Sequence, residues 1–125
     1  MDLNEYQKLA QRTANTAACD DKLLNGMLGL AGETGECVDM LKKYLYQGHA
    51  FPREQLIEEL GDVMWYVAEA ATGLKITLSE LAEHNIAKLK KRYPDGFDAG
   101  RSIKRDTNQH SGSSLSPLDR LHRTI

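Results

Sequence analysis

Apolar residues recur along this chain with helical rather than strand periodicity. Tyr6, Leu9, Ala10 and Ala14 form a stripe that predicts a first helix over 4–18. Asn4, with Gln7 three residues later, is placed to cap it. The longest signal covers 22–46, where Leu24, Met27, Leu28, Ala31, Val38, Leu41 and Leu45 recur at spacings of three, four and seven and read as a core stripe. Gly26, Gly29, Gly32 and Gly35 interrupt this helix at spacing three. Each costs about 1 kcal/mol relative to alanine, so either a backbone or ligand approaches closely there or the helix begins near Met27. Gly48 is suited to the C′ position and Pro52 to the first turn of the next helix. That helix spans 53–72, with Leu56, Leu60, Val63, Met64, Val67 and Ala71 as its core stripe. Thr77-x-x-Glu80 has capping-box spacing and opens a helix over 78–92, with Leu78, Leu81, Ala82, Leu89 and Tyr93 on its apolar side. Pro94-Asp95-Gly96 is a turn signal, and Phe97 is expected to pack back on the helices. No strand signal or internal repeat stands out, so the fold class is all-α.

Composition divides the chain. Its 125 residues suit one domain. The apolar content collapses near Arg101, where Ser111, Gly112, Ser113, Ser114 and Ser116 read as a flexible tail, with a weak docking-helix signal in Leu115, Leu118, Leu121 and Ile125. The expected organisation is a domain over 1–100 and a basic Ser-rich tail over 101–125. Residues 1–100 carry 11 Lys/Arg and 16 Asp/Glu, net −5, and residues 101–125 carry five and two, net +3. The overall charge of −2 gives no dominant attraction to nucleic acid or membrane, and neither is expected as a partner. Two cysteines without a C-x-x-C spacing argue against a zinc site or a disulfide framework. With no signal-like N-terminus and no apolar run near the roughly 20 residues of a membrane span, a cytoplasmic location is expected. Trp65 and Tyr66 lie outside the apolar stripe of their helix, more than a few short helices can cover, so a homo-oligomer with a two-fold interface is expected.

The chemistry sits in two acidic pairs, Glu33-x-x-Glu36 and Glu59-x-x-Asp62, with Glu58 beside the second. Residues three apart share a helix face, so each pair points two mutually repelling carboxylates the same way. At about 100° per residue, Glu33 and Glu36 fall opposite the apolar stripe of their helix. A single such pair reads best as a solvated acidic face. The short loop predicts that the two helices are antiparallel neighbours, and two pairs so placed gather enough oxygen ligands for a hard divalent cation, Mg²⁺ or alternatively Mn²⁺. Asn85, Lys88 and Arg92 share one face of the next helix and can reach a phosphate chain together, although Lys91 competes for that role and basic residues also suit a helix C-terminus. No Glu-x-x-His spacing of di-iron bundles, no nucleophile triad and no phosphate-binding glycine loop is present. The set suits Mg²⁺-assisted phosphoryl or nucleotidyl transfer. The rival reading is a non-catalytic helical module that binds a metal–nucleotide complex or another protein.

The segments Gly29-Leu30-Ala31-Gly32-Glu33-Thr34-Gly35-Glu36, Glu58-Glu59-Leu60-Gly61-Asp62-Val63 and Asn85-x-x-Lys88-Leu89-x-x-Arg92-Tyr93-Pro94 resemble the MazG-like nucleotide pyrophosphohydrolases of the all-α nucleoside triphosphate pyrophosphatase superfamily. The 22 residues between Glu36 and Glu59 look like that family's spacer. The resemblance covers roughly residues 20–98. It implies a four- to five-helix bundle completed by oligomerisation, as a homodimer or dimer of dimers. It implies hydrolysis of a nucleoside triphosphate to the monophosphate and pyrophosphate, with deoxynucleotides, ribonucleotides and non-canonical nucleotides all open as substrates. Carried over, Glu33, Glu36, Glu59 and Asp62 are the catalytic Mg²⁺ ligands, one of them, with Glu33 a candidate, serving instead as base. Asn85, Lys88 and Arg92 are the phosphate-binding group.

Overall fold

The computed structural model describes residues 1–17 and 21–104. Within them the chain is all helical: α1 Leu3–Gln11, α2 Lys22–Tyr46, α3 Arg53–Gly73, α4 Leu78–Arg92 and α5 Ala99–Ile103. None of these helices is long and apolar enough to cross a membrane. The chain divides into two compact units, Met1–Ser79 and the segment from Glu80 onward. The weak docking-helix signal beyond residue 104 lies outside the described residues.

Asp2, not Asn4, caps α1. Its Oδ1 accepts the N–H groups of Asn4 and Glu5 at 2.9 Å, and Glu5 answers by accepting the Asp2 N–H at 2.8 Å. Asn4 and Gln7 work at another helix. Gln7 Oε1 accepts the Leu78 N–H at 2.8 Å and Asn4 Oδ1 accepts the Ser79 N–H at 3.1 Å, so α1 satisfies the first amides of α4. Gln7 Nε2 also donates to Thr72 Oγ1 and to the Ile76 carbonyl. The helix stops at Gln11, short of the expected residue 18. Thr13 Oγ1 donates to the Ala10 carbonyl at 2.8 Å and Asn15 Oδ1 accepts the Ala17 N–H at 3.2 Å, so side chains there compete with the helical ladder.

α2 runs the full expected length, begun by Asp21 Oδ1 accepting the Leu24 N–H at 2.9 Å. Gly48, at φ 73°, follows its C-cap as expected. Pro52 is the N-cap residue of α3 rather than its first turn. The early glycines are helical, and two of them explain how α2 packs. A Cβ at Gly26 would stand 2.7 Å from the Ala70 amide nitrogen, and one at Gly29 would collide with the Tyr66 ring. From the α3 side, Gly73 meets the Leu23 backbone. These pairings run in opposite directions along the two helices, which therefore pack antiparallel with backbones in close approach. Gly32 and Gly35 face open space.

Because the glycine face of α2 meets α3, the stripe read as core points elsewhere. Leu24, Met27, Leu28, Val38, Leu41 and Leu45 are exposed, Leu28 by 66%, and on α3 so are Leu60 and Met64. The first unit's interior is thin. The buried apolar residues of the described chain are Ala10, Leu23, Ala68, Ala70, Ala71 and Leu78, four of them alanines. Trp65, expected at an interface, serves this interior: its indole N–H donates to the Ala10 carbonyl at 3.0 Å and to Thr13 Oγ1 at 2.8 Å, holding α1 on α3. Beyond it, the carboxylate of Glu69 is buried with Oε1 3.8 Å from Lys22 Nζ, which itself donates to Gln11 Oε1 at 2.7 Å.

In the second unit, Phe97 packs back on Tyr93, ring centroids 5.6 Å apart. Asp98 caps α5, a short turn that crosses the Gly100–Arg101 boundary where composition changes.

The seam yields the first prediction. Gly26→Ala places a methyl group against backbone that cannot yield and should destabilise the fold by about 1–3 kcal/mol. Gly32→Ala, into open space on a helical backbone, should stabilise it by about 0.5–1 kcal/mol. Chemical denaturation of the two variants checks the opposite signs.

Candidate functional site

Antiparallel packing of α2 on α3 sets Glu33 opposite the second acidic pair. Glu33, Glu59 and Asp62 each offer a carboxylate oxygen, and these oxygens lie within 4.8 Å of one another. Glu33 and Glu59 are half-buried and Asp62 is exposed. Glu36, one turn further along α2, is exposed and stands outside this group, though its charge reaches Glu59. Glu58 is exposed.

The cluster holds excess negative charge. Glu59 binds a proton more readily than an ordinary glutamate: partial burial disfavours its anion most, then a hydrogen bond shared with Glu33, then the charges of Glu33, Asp62 and Glu36. The cations of the helices that carry these acids are engaged first with other carboxylates, although Lys43 also feels the charge of Glu36. All four of their cations are ion-paired with other acids: Lys22 with Glu69, Lys42 and Lys43 with Asp39 at 2.6 and 2.5 Å, and Arg53 with Glu54 at 2.6 Å. Hydrogen bonds from Lys42 and Lys43 hold the Asp39 carboxyl at about 2, well below the usual range. Three close carboxylate oxygens without a side-chain cation form a donor set that fits a hard divalent ion such as Mg²⁺ or Mn²⁺.

Two aromatic residues border the acids: Tyr66, which helical spacing sets on the face of Glu59 and Asp62, and Tyr6, which the sequence offers only as part of the apolar stripe of α1. Tyr66, one turn after Asp62, lies against Gly29, one turn before Glu33, and meets Trp65 edge to face at 5.0 Å. Tyr6 of α1 has its hydroxyl pKa raised, by burial first and then by the charge of Asp62. The i, i+4 spacing from Asp62 was the signal for Tyr66. For Tyr6 there was none, because it depends on how α1 crosses α3.

Asn85, Lys88 and Arg92 lie on α4 in the second unit. Asn85 and Lys88 are exposed and Arg92 is half-buried, its guanidinium carbon 6.0 Å from the centre of the Tyr93 ring. They keep the shared helix face expected from their spacing.

The raised Glu59 pKa has a definite sign. Its contribution to stability is full below the ordinary carboxylate range and is lost as pH rises through the raised value, so at neutral pH the three charges oppose folding. Glu59→Gln should therefore raise the Tm of the metal-free protein at pH 7 and leave it nearly unchanged at pH 4. Millimolar Mg²⁺ should stabilise the unaltered protein and the variant much less. Thermal melts across pH, with and without Mg²⁺, measure both.

Residues 22–97, which carry α2, α3 and α4, match the MazG nucleotide pyrophosphohydrolase domain. The Gene 37 protein of Mycobacterium phage L5 is 37% identical over 109 residues, covering 80% of this chain and 96% of that relative. No solved structure matches. With the family match spanning more than half its length and both acidic pairs inside it, the chain belongs to the MazG nucleotide pyrophosphohydrolase family.

Proposed function

We propose that this protein hydrolyses nucleoside triphosphates between the α and β phosphates in a Mg²⁺-dependent reaction, releasing the monophosphate and pyrophosphate. The observation that carries this is the meeting of Glu33, Glu59 and Asp62 within 4.8 Å, with every cation of their own helices engaged elsewhere. Glu59, Asp62 and, from the next turn of α2, Glu36 would hold the ion, which leaves Glu33 for the base. Bound there, Mg²⁺ supplies charge neutralisation for the phosphate oxygens and lowers the barrier to attack by water.

The chain's own groups perform the rest. The oxygen of a water molecule bonds to the α phosphorus while the bond from that phosphorus to the α–β bridging oxygen breaks. A carboxylate oxygen of the cluster takes the water proton, and Glu33, half-buried and hydrogen-bonded to Glu59, is our assignment. Asn85, Lys88 and Arg92 would hold the β and γ phosphates, meeting the charge that builds on the departing pyrophosphate.

We also propose that the working form is a homodimer or dimer of dimers. The support has shifted from Trp65, which the first unit uses internally, to the exposed stripe from Leu24 to Leu45 and to Leu60 and Met64. An interior built largely from alanines offers little apolar area of its own.

Hydrolysis in ¹⁸O-labelled water should place label in the nucleoside monophosphate. Label in orthophosphate, with nucleoside diphosphate as co-product, would refute the assigned bond. Lys88→Ala or Arg92→Ala should lower turnover by about 10²–10³ while Mg²⁺ binding survives, and Glu36→Ala or Asp62→Ala should lose both. For the assembly, light scattering at micromolar concentration should report a dimer or tetramer, and Leu28→Glu should shift it toward monomer. A monomeric unaltered protein would contradict the assembly and leave the chemistry standing.

A further inference from the structure

The phosphate-binding role assigned to α4 raises an electrostatic difficulty. Arg92 stands on its last turn, beside Lys90 and Lys91, and Lys88 one turn earlier, and the C-terminus of a helix is the negative end of its dipole, bearing carbonyls without intrahelical partners. Anions are favoured at the opposite end. A polyphosphate brought to Lys88 and Arg92 would meet those carbonyl oxygens as well as the two cations.

The second unit contains a device that answers this. The chain leaves α4 and turns at Gly96, φ 96°, whose N–H donates to the Tyr93 carbonyl at 3.2 Å. Phe97 packs on Tyr93, and Asp98 Oδ1 accepts the Arg101 N–H at 2.7 Å, fixing the backbone of Arg101. The Arg101 side chain then returns to α4, where Nη1 donates to the Arg92 carbonyl at 3.3 Å. A guanidinium carries five N–H donors, so this bond leaves four. Arg101 thus covers the final carbonyl of α4, places a full positive charge where the dipole is negative, and keeps donors for an anion. It is exposed and lies beyond the residues matched to the family, 22–97.

We propose that Arg101 is a further member of the polyphosphate-binding group, donating to the leaving pyrophosphate alongside Lys88 and Arg92. This rests on the reading of α4 as the phosphate-binding helix. A purely structural role for Arg101, capping α4, would need its hydrogen bond but not its charge, and that difference can be measured. Arg101→Gln keeps a donor for the Arg92 carbonyl and removes the charge; Arg101→Lys keeps the charge and loses the planar fork.

The probe is inorganic pyrophosphate, titrated calorimetrically in the presence of Mg²⁺ into the full-length protein. Loss of one charge-assisted contact corresponds to about tenfold weaker binding. Arg101→Ala and Arg101→Gln should each weaken pyrophosphate binding about tenfold with Tm nearly unchanged, and Arg101→Lys should recover part of the loss. Should Arg101→Gln bind as tightly as the unaltered protein while Arg92→Ala binds weakly, Arg101 is a helix cap only and the proposal falls alone. Should Arg92→Ala bind normally, or the unaltered protein not bind pyrophosphate, the assignment of α4 falls and this proposal with it.

Discussion

The close approach of α2 and α3 is the constraint on which the rest of the first unit depends. Three glycines allow it: Gly26 against the Ala70 backbone, Gly29 under the Tyr66 ring, and Gly73 against the Leu23 backbone. Each forgoes a side chain inside a helix, a cost that only packing can offset. In return the register of the two helices is fixed, and two turns beyond Gly26 that register sets Glu33 across from Glu59 and Asp62. The acidic cluster is thus a consequence of the seam. Three carboxylates repel one another, and the apposition persists because neighbouring turns are held by contacts between backbones.

The same geometry explains why the cluster calls for a cation from outside. A helix pair this close could have solved its charge problem with a lysine across the interface. Instead Lys42 and Lys43 are bound to Asp39, and Lys22 is drawn to the buried Glu69 at the other end of the seam. Glu59 responds with a raised affinity for protons. In physical terms a proton and a divalent ion are alternative answers to one surplus of charge.

Much of this was legible in the sequence, and the places where it was not are instructive. The limits of α2 and α3 and the shared face of each acidic pair followed from period and spacing, because i, i+3 geometry is local; across the helices Glu33 meets Glu59 and Asp62, while Glu36 stands outside that group. Which face of α2 is inward did not follow. The large residues Met27 and Leu28 outweigh glycines in any hydrophobic pattern, yet the glycine face made the closer contact and left the large residues exposed. The Asn4–Gln7 signature was read correctly as helix-capping chemistry but credited to the wrong helix: Asp2 and Glu5 already served α1, freeing the two amides to reach the start of α4. Trp65 was similarly displaced, from an outer surface to the anchor of α1. Each of these depends on contacts between different helices, which a pattern confined to one helix does not encode.

The alanine-rich interior has a consequence for how such a protein responds to its own abundance. Methyl groups bury little area, so a single chain gains little from closing on itself, while the larger side chains Leu24, Leu28, Leu60 and Met64 are held in reserve on the outside. On the proposed assembly, the apolar area of those side chains is buried only when two copies meet. Folding then obeys mass action: the fraction of native protein rises with total concentration, and dilution unfolds as well as dissociates.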